Sequence, residues 1–422
     1  MSIRELIETT WGTDAERDLS LRSRQDLERN VRMLWPTIKK FSGSGAPEPP
    51  SSVVHTARAL PALLQHSGAT QLVYDAGLGT LFSQTFKVLN DPQHEQVIDA
   101  LLLRIAAVRR VCGGYLGTAV VLAAHADQIL RVHRVRDYIE DAESAFETWV
   151  GVAMQEQFAV AHELLHYLEA ADPASFDRLR EQVLDRLRTA SNLSETDPAL
   201  ASAHDIGRER PTTYGRHHAG VEPDSWWYAP RFDSQPELAA GKVVPVLPDL
   251  AAVAARDRRL LTELTCDVFA ATACSIFAQR GNGWTPLQSA AASVLALATL
   301  GLVLSLDRQA AAAPAGQGDR TIDEWEFRQC GLRVLLAEAV GAEVADPAMA
   351  PTPAEVADVM RRAIGMYNGV IARRVALLNT WPANDERSAH PSPSRLLTGA
   401  GFLNLRADPR GQAQREREGW AR

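Results

Sequence analysis

The stretch AVAHELLHYLEA contains the residues best suited to chemistry, because His162, Glu163 and His166 form an HExxH pattern within a helical segment. Histidines four positions apart lie about 40 degrees apart on a helix, so both imidazoles can reach one ion. Glu163 is offset by about 100 degrees and can reach a water bound to that ion. Zinc lowers the pKa of its bound water to about 7, and a nearby carboxylate can carry the released proton to a leaving amine. The pattern therefore predicts zinc-dependent hydrolysis.

A catalytic zinc ion needs a third protein ligand and an open position. The stretch RRLLTELTCDVFAATACSIFAQ supplies a candidate, because Glu263 and Asp267 share one face of a predicted helix. The small residues Ala270 and Cys274 follow, and they would let a second helix approach closely. We therefore expect this helix to lie against the HExxH helix, with Glu263 as the third ligand.

The combination of HExxH with a later helix bearing ExxxD resembles the gluzincin branch of zinc metallopeptidases. In that branch the glutamate of ExxxD is the third ligand, which implies that Glu263 binds zinc. The resemblance also implies that Asp267 hydrogen-bonds a liganding histidine and fixes its tautomer. The segment between His166 and Glu263 is longer than in compact members of the branch. The metzincin extension HExxHxxGxxH is absent, because YLEAADPA follows His166.

The sequence also offers other residues as the third metal ligand. His204, His217 and His218 are alternatives, but they lie in a predicted loop, and regular elements hold ligands at better-defined positions. Asp267 can also bind the metal itself, with Glu263 outside the ligand set. A non-catalytic alternative is a helix whose histidines are hydrogen-bonded within the fold.

A second polar cluster, ERSAHPSPSRLL, lies near the C-terminal end and contains His390 and Arg395. It is similar to an element found after the ExxxD helix in several bacterial HExxH peptidases. If it folds over the cleft, either residue can stabilise the oxyanion that forms as water attacks a peptide carbonyl; otherwise it packs and caps the core. Tyr214 and Tyr228 are further candidates. The whole layout also resembles phage-exclusion peptidases of bacteria.

The hydrophobic periodicity predicts a mainly α protein with a minor β component. We expect an N-terminal helical region at 1–45, a helical region with one short strand, QLVYDAG, at 52–144, and a zincin-like catalytic core at 145–400. The helical pattern of the core breaks near Asp172, and a long loop is inserted at 191–240. A polar tail follows at 401–422. The stretch ARALPALLQHSG is predicted to be helical.

The amino-acid composition indicates which binding partners and which cellular compartment to expect. The 422 residues carry a formal net charge of −8, which argues against a nucleic-acid partner. Four cysteines without a CxxC pair and an N-terminus without an apolar signal stretch favour the cytoplasm. The uncharged segment 289–306 just reaches the length of a membrane span, but its many Ala, Ser and Thr residues favour a buried core helix.

The leading hypothesis is a cytoplasmic zinc metallopeptidase that hydrolyses a protein or peptide substrate. The alternative is a regulatory or binding protein with a structural or vestigial zinc site, because no substrate pocket can be recognised in the sequence. Imidazole and carboxylate ligands also accept cobalt or manganese, so the ligand types alone do not select zinc.

Overall fold

A computed structural model defines the architecture of the chain. The structure describes residues 21–54, 61–66, 68–90, 95–112, 142–193, 250–279, 285–310 and 324–342, with residues 59, 122, 123 and 126 and several positions from 351 to 367. Residues 191–193 of the loop predicted at 191–240 are helical, whereas its residues 194–240 and the predicted tail at 401–422 lie outside the described residues.

The described part of the chain is mainly helical and contains a small sheet. Its longer helices are α1 (Leu21–Ser42), α2 (Ala76–Asn90), α3 (Glu95–Cys112), α4 (Ala142–Ala171), α5 (Pro173–Leu193), α6 (Leu250–Arg256), α7 (Arg258–Gln279), α8 (Pro286–Ala310) and α9 (Glu324–Ala342). The strands are β1 (Ser51–Val54), β2 (Ala62–His66) and β3 (Ala69–Asp75). The predicted class, mainly α with a minor β component, is confirmed.

The sheet has the strand order β1-β3-β2 and lies beside α4. β1 is parallel to β3, whereas β2 and β3 form an antiparallel hairpin around Gly68, which has a φ of +78°. The prediction of a helix in ARALPALLQHSG was wrong for its second half, because Ala62–His66 is a strand. A short apolar run fits either structure, and its pairing with β3 decides between them.

Helix α4 lies at the centre of the fold and packs against α1, α2, α7 and α8. Its apolar residues Ala161, Leu164 and Leu168 are fully buried. This stripe fixes the rotation of α4 about its axis, because turning it would bring apolar side chains into water. The HExxH residues on the same helix therefore have defined directions.

The predicted break near Asp172 separates α4 from α5 and has a local cause. Asp172 caps α5, since its carboxylate accepts hydrogen bonds from the backbone N–H of Ser175 at 3.2 Å and from the Ser175 hydroxyl at 2.7 Å. Pro173 occupies the first helical position, where the missing N–H costs nothing. The Ser44 hydroxyl also donates to Asp172 at 2.7 Å and ties the segment after α1 to this corner.

Helices α7 and α8 are long and contain extended apolar stretches. Arg258–Phe277 and Pro286–Val303 are each long and apolar enough to cross a membrane, and 83% and 78% of these windows are buried inside the protein. Helices buried on all sides in a protein core have the same composition. The expected core helix at 289–306 overlaps α8.

Helices α7 and α9 approach closely at a glycine. A Cβ atom on Gly331 of α9 would lie 2.7 Å from Cδ2 of Leu264 on α7, well inside van der Waals contact. The absence of a side chain at Gly331 thus lets the two helices pack tightly. This packing brings α9 against the face of α7 that carries Glu263 and Asp267.

Candidate metal centre

Three side chains from α4 and α7 converge on one point. The Nε2 atoms of His162 and His166 are 3.1 Å apart. Glu263 Oε2 lies 3.5 Å from His162 Nε2, and Glu263 Oε1 lies 3.6 Å from His166 Nε2. Ligand atoms about 2.1 Å from a tetrahedral zinc ion are about 3.4 Å from one another. The three observed distances bracket that value, so this group could hold a divalent metal ion.

Within the described part of the chain, the group is set into the protein and borders a cleft. The His162 side chain is 7% exposed, and those of His166 and Glu263 are each 21% exposed. The histidines lie one turn apart on α4, and Glu263 reaches them from α7, the helix most extensively packed against α4. The two helices therefore position all three side chains.

Asp267 lies behind His162, beside its Nδ1 atom. Its Oδ1 atom is 2.9 Å from Nδ1 of His162, and the Asp267 side chain is fully buried. The burial tends to raise the pKa of Asp267, but the Arg328 guanidinium and His162 outweigh it and hold the pKa below its usual range. Asp267 is therefore ionised, and it faces the nitrogen of His162 that does not point at the candidate metal position.

Arg328 from α9 binds both carboxylates of α7. Its Nε donates to Asp267 Oδ2 at 2.7 Å, and one terminal nitrogen donates to Asp267 Oδ1 at 2.8 Å. The other terminal nitrogen lies 3.0 Å from Glu263 Oε2. Arg328 is not among the residues predicted from the sequence, where its only signal is a charge within the apolar pattern of WEFRQCGLRVLL. Its role becomes visible once α7 and α9 are packed together.

The outer nitrogen of His166 has different neighbours. Nδ1 of His166 lies 3.7 Å from Sγ of Cys266 and 3.8 Å from Oε2 of Glu169. Burial raises the pKa of the Cys266 thiol to about 11, so the thiol is protonated at neutral pH when no metal ion is bound. Glu169 accepts hydrogen bonds from Arg180 at 3.2 Å and from Thr262 at 3.4 Å. These contacts hold Glu169 beside His166.

The electrostatics of the centre favour cations. Burial tends to raise the pKa of Glu263, but Arg328 and the two histidines hold it far below its usual range. Burial also opposes protonation of His162, yet Asp267 and Glu263 raise its pKa above 6.5. Without a metal ion, protons on the imidazoles compensate the negative charge of the carboxylates. A divalent cation placed between these side chains would compensate the same negative charge.

A cleft of about 490 Å³ opens over the three side chains. Glu163 lines it, together with Glu169 and Arg328, and residues of β2 form another part of its wall. The wall from β2 consists of Ala62, Leu63 and Gln65. The cleft thus combines the candidate metal ligands, an unligated carboxylate and the edge of the sheet.

Five of the candidate residues predicted from the sequence fall within the described part of the chain. His162, His166 and Glu263 come together, Glu163 lines the same cleft, and Asp267 contacts His162. The other candidates lie outside the described residues: His204, Tyr214, His217, His218, Tyr228, His390 and Arg395.

Comparisons with known proteins find no match to this chain among family models, curated proteins or solved structures. The likeness to gluzincins is one of motifs, carried by HELLH and ELTCD.

Proposed function

We propose that this protein is a zinc-dependent peptidase with a zincin-like core. The observation that carries the proposal is the convergence of His162, His166 and Glu263 beneath a cleft that Glu163 also lines. A bound zinc ion would supply Lewis acidity and a water molecule of lowered pKa. Glu163 is the general base in this proposal: it accepts the proton of the attacking water and passes it to the amine nitrogen released from the cleaved bond.

The ligand number favours a catalytic over a structural site. Structural zinc sites are closed by four protein ligands, whereas catalytic sites use three and keep one position for water. Within the described residues the group contains three ligands, two imidazoles and one carboxylate. Cys266 does not supply a fourth, because its sulfur lies beside Nδ1 of His166, whereas Nε2 faces the other ligands.

The sheet edge supports a peptide as the substrate. In the described part of the sheet, β2 pairs with β3 along one side only, and residues of β2 line the cleft. An edge strand offers backbone N–H and C=O groups, to which an extended peptide can add as a further strand. Main-chain hydrogen bonds of this kind recognise a polypeptide whatever its side chains are.

The charges of the cleft do not favour a phosphorylated substrate. Apart from the two histidines and the proposed metal ion, the one cation among the described cleft residues is Arg328, whose nitrogens already contact Asp267 and Glu263. Glu163 and Glu169 add negative charge to the wall. Phosphate groups need cationic or N–H donors that are free to bind them.

The test compares Glu163→Gln with the unmodified protein. Both are loaded with zinc and incubated with an unfolded protein mixture, and new amino termini are counted over time. We expect Glu163→Gln to keep its metal and to lose about 100- to 10,000-fold in rate, because the general base is removed. Glu181→Gln, an exposed change on α5, is the matched control and should keep full activity.

Equal cleavage by Glu163→Gln and the unmodified protein would refute the proposed mechanism. If zinc binds and raises the thermal stability without any Glu163-dependent cleavage, the site is structural and the regulatory or binding alternative is favoured.

A further inference from the structure

Arg328 is the least exposed cation at the centre, and each of its three guanidinium nitrogens contacts a carboxylate. Two nitrogens bind Asp267 at 2.7 and 2.8 Å, and the third lies 3.0 Å from Oε2 of Glu263. The residue is 2% exposed. Such a buried cation is stable only when it is well compensated, and the two carboxylates of α7 provide that compensation.

The double contact with Asp267 fixes the plane of the guanidinium group. A planar fork bound through two nitrogens cannot rotate, so the direction of its third nitrogen is also set. That nitrogen meets Oε2 of Glu263, which also lies 3.5 Å from Nε2 of His162, while Oε1 of Glu263 lies 3.6 Å from Nε2 of His166. Both oxygens thus face an imidazole at nearly the same distance, and the contact with Arg328 is what distinguishes Oε2 from Oε1.

We propose that Arg328 is a positioning residue that binds Oε2 of Glu263 and leaves Oε1 as the single carboxylate oxygen for the metal. The inference rests on the proposed metal site. A glutamate that binds zinc through both oxygens takes up a second coordination position, whereas a catalytic zinc ion needs a position for water. By engaging Oε2, Arg328 keeps that position free.

Lysine cannot replace Arg328 in this role. Its ammonium group is a single centre and cannot bind both oxygens of Asp267 while also reaching Glu263. The substitution Arg328→Lys keeps the positive charge but loses the fixed plane. It therefore separates the positioning effect from the effect of charge on the centre.

The experiment uses cobalt(II) as a spectroscopic probe in the full-length protein. Arg328→Lys and Arg328→Gln are compared with the unmodified protein for cobalt stoichiometry, affinity and visible absorption, which is stronger for four-coordinate than for five-coordinate cobalt. The matched control is Arg333→Lys, a buried arginine on α9 that donates to the backbone carbonyl of Gln329 at 3.0 Å. Circular dichroism and thermal unfolding check that each variant is folded.

We expect both Arg328 variants to show weaker cobalt absorption and an affinity about 10- to 100-fold lower, the usual effect of losing a residue that orients a metal ligand. Arg333→Lys should match the unmodified protein. A folded Arg328 variant that no longer binds cobalt also supports the inference, provided that Arg333→Lys still binds it, because Glu263 is then no longer held in place.

Three outcomes count against the inference, and they are distinguishable. If the unmodified protein binds one cobalt ion per chain and either Arg328 variant keeps the same spectrum and affinity, the positioning role is wrong while the metal site stands. If the unmodified protein binds no cobalt and no zinc, the metal site and the inference both fail. Should Arg328→Lys not fold, Arg328→Gln decides; if neither folds, the inference is withdrawn in favour of a purely structural role.

Discussion

The Nδ1 atom of His162 lies 2.9 Å from Oδ1 of Asp267, and this contact joins α4 to α7 directly behind the candidate metal centre. Asp267 is held in turn by Arg328 from α9. The imidazole of His162 is thereby oriented with Nε2 towards Glu263. The arrangement of the ligands thus depends on three packed helices, and disturbing any one of them should be detectable at the metal.

Replacing Asp267 by asparagine tests the support behind His162. The amide keeps the shape of the carboxylate but removes its charge, and half of the contact with Arg328 is lost. We expect metal affinity to fall about 10- to 100-fold, as for other residues that orient a liganding histidine. Competition with a chelator of known affinity measures the change.

The matched control for that substitution is Asp185→Asn. Asp185 is 70% exposed and lies 2.9 Å from Arg188 on the surface of α5. Exposed pairs contribute little to stability, so its metal affinity should equal that of the unmodified protein. An Asp267→Asn variant that binds metal as tightly as Asp185→Asn would show that the contact with His162 is incidental.

Metal binding should weaken on acidification, beginning above the ordinary pKa of histidine. Burial opposes protonation of His162 and His166, but their partners raise both pKa values above 6.5. In the metal-free protein, protonation of these two histidines stabilises the fold at pH values below the pKa of histidine in the unfolded chain. That contribution is lost as the pH rises through the higher pKa values that the histidines have in the folded protein. Metal needs neutral imidazoles, so its stabilising effect should grow over the same pH range.

Thermal unfolding with and without metal, from about pH 6 to about pH 9, measures this dependence. The difference in unfolding temperature should increase with pH. A difference that is constant across the range would mean that the bound ion does not compete with protons on these two histidines.

The close approach of α7 and α9 should be sensitive to a side chain at Gly331. Gly331→Val places atoms where Leu264 already lies, so we expect the free energy of unfolding to fall by about 1–3 kcal/mol. Gly45→Val is the control, because a Cβ there meets nothing within 4 Å. Denaturant unfolding compares the two, and equal losses would mean that the helix contact is loose.

The HExxH helix and the face of Glu263 could be predicted because they follow from local spacing. Residues four positions apart lie on one side of a helix wherever the helix is placed, so His162 pairs with His166, and Glu263 with Asp267. The contact between these two pairs was predicted because a catalytic zinc ion needs three protein ligands and the two histidines supply only two. The motif resemblance then pointed to the contact of Asp267 with a histidine.

Arg328 and strand β2 could not be predicted in the same way. The role of Arg328 depends on contacts with residues about 60 positions away in the sequence. The spacing of residues along α9 does not indicate these contacts. The sequence ALLQH is short enough for either a helix or a strand, and only its pairing with β3 makes it an edge strand. Both features depend on contacts between distant segments.

The central claim is that His162, His166 and Glu263 hold one metal ion, and elemental analysis tests it most directly. The protein is purified without chelator, and its metal content is compared with those of Glu263→Gln and the control Glu181→Gln. We predict about one zinc ion per chain in the unmodified protein and the control, and almost none in Glu263→Gln. Equal metal content in Glu263→Gln and the unmodified protein, or no metal in either after incubation with zinc, would contradict the account.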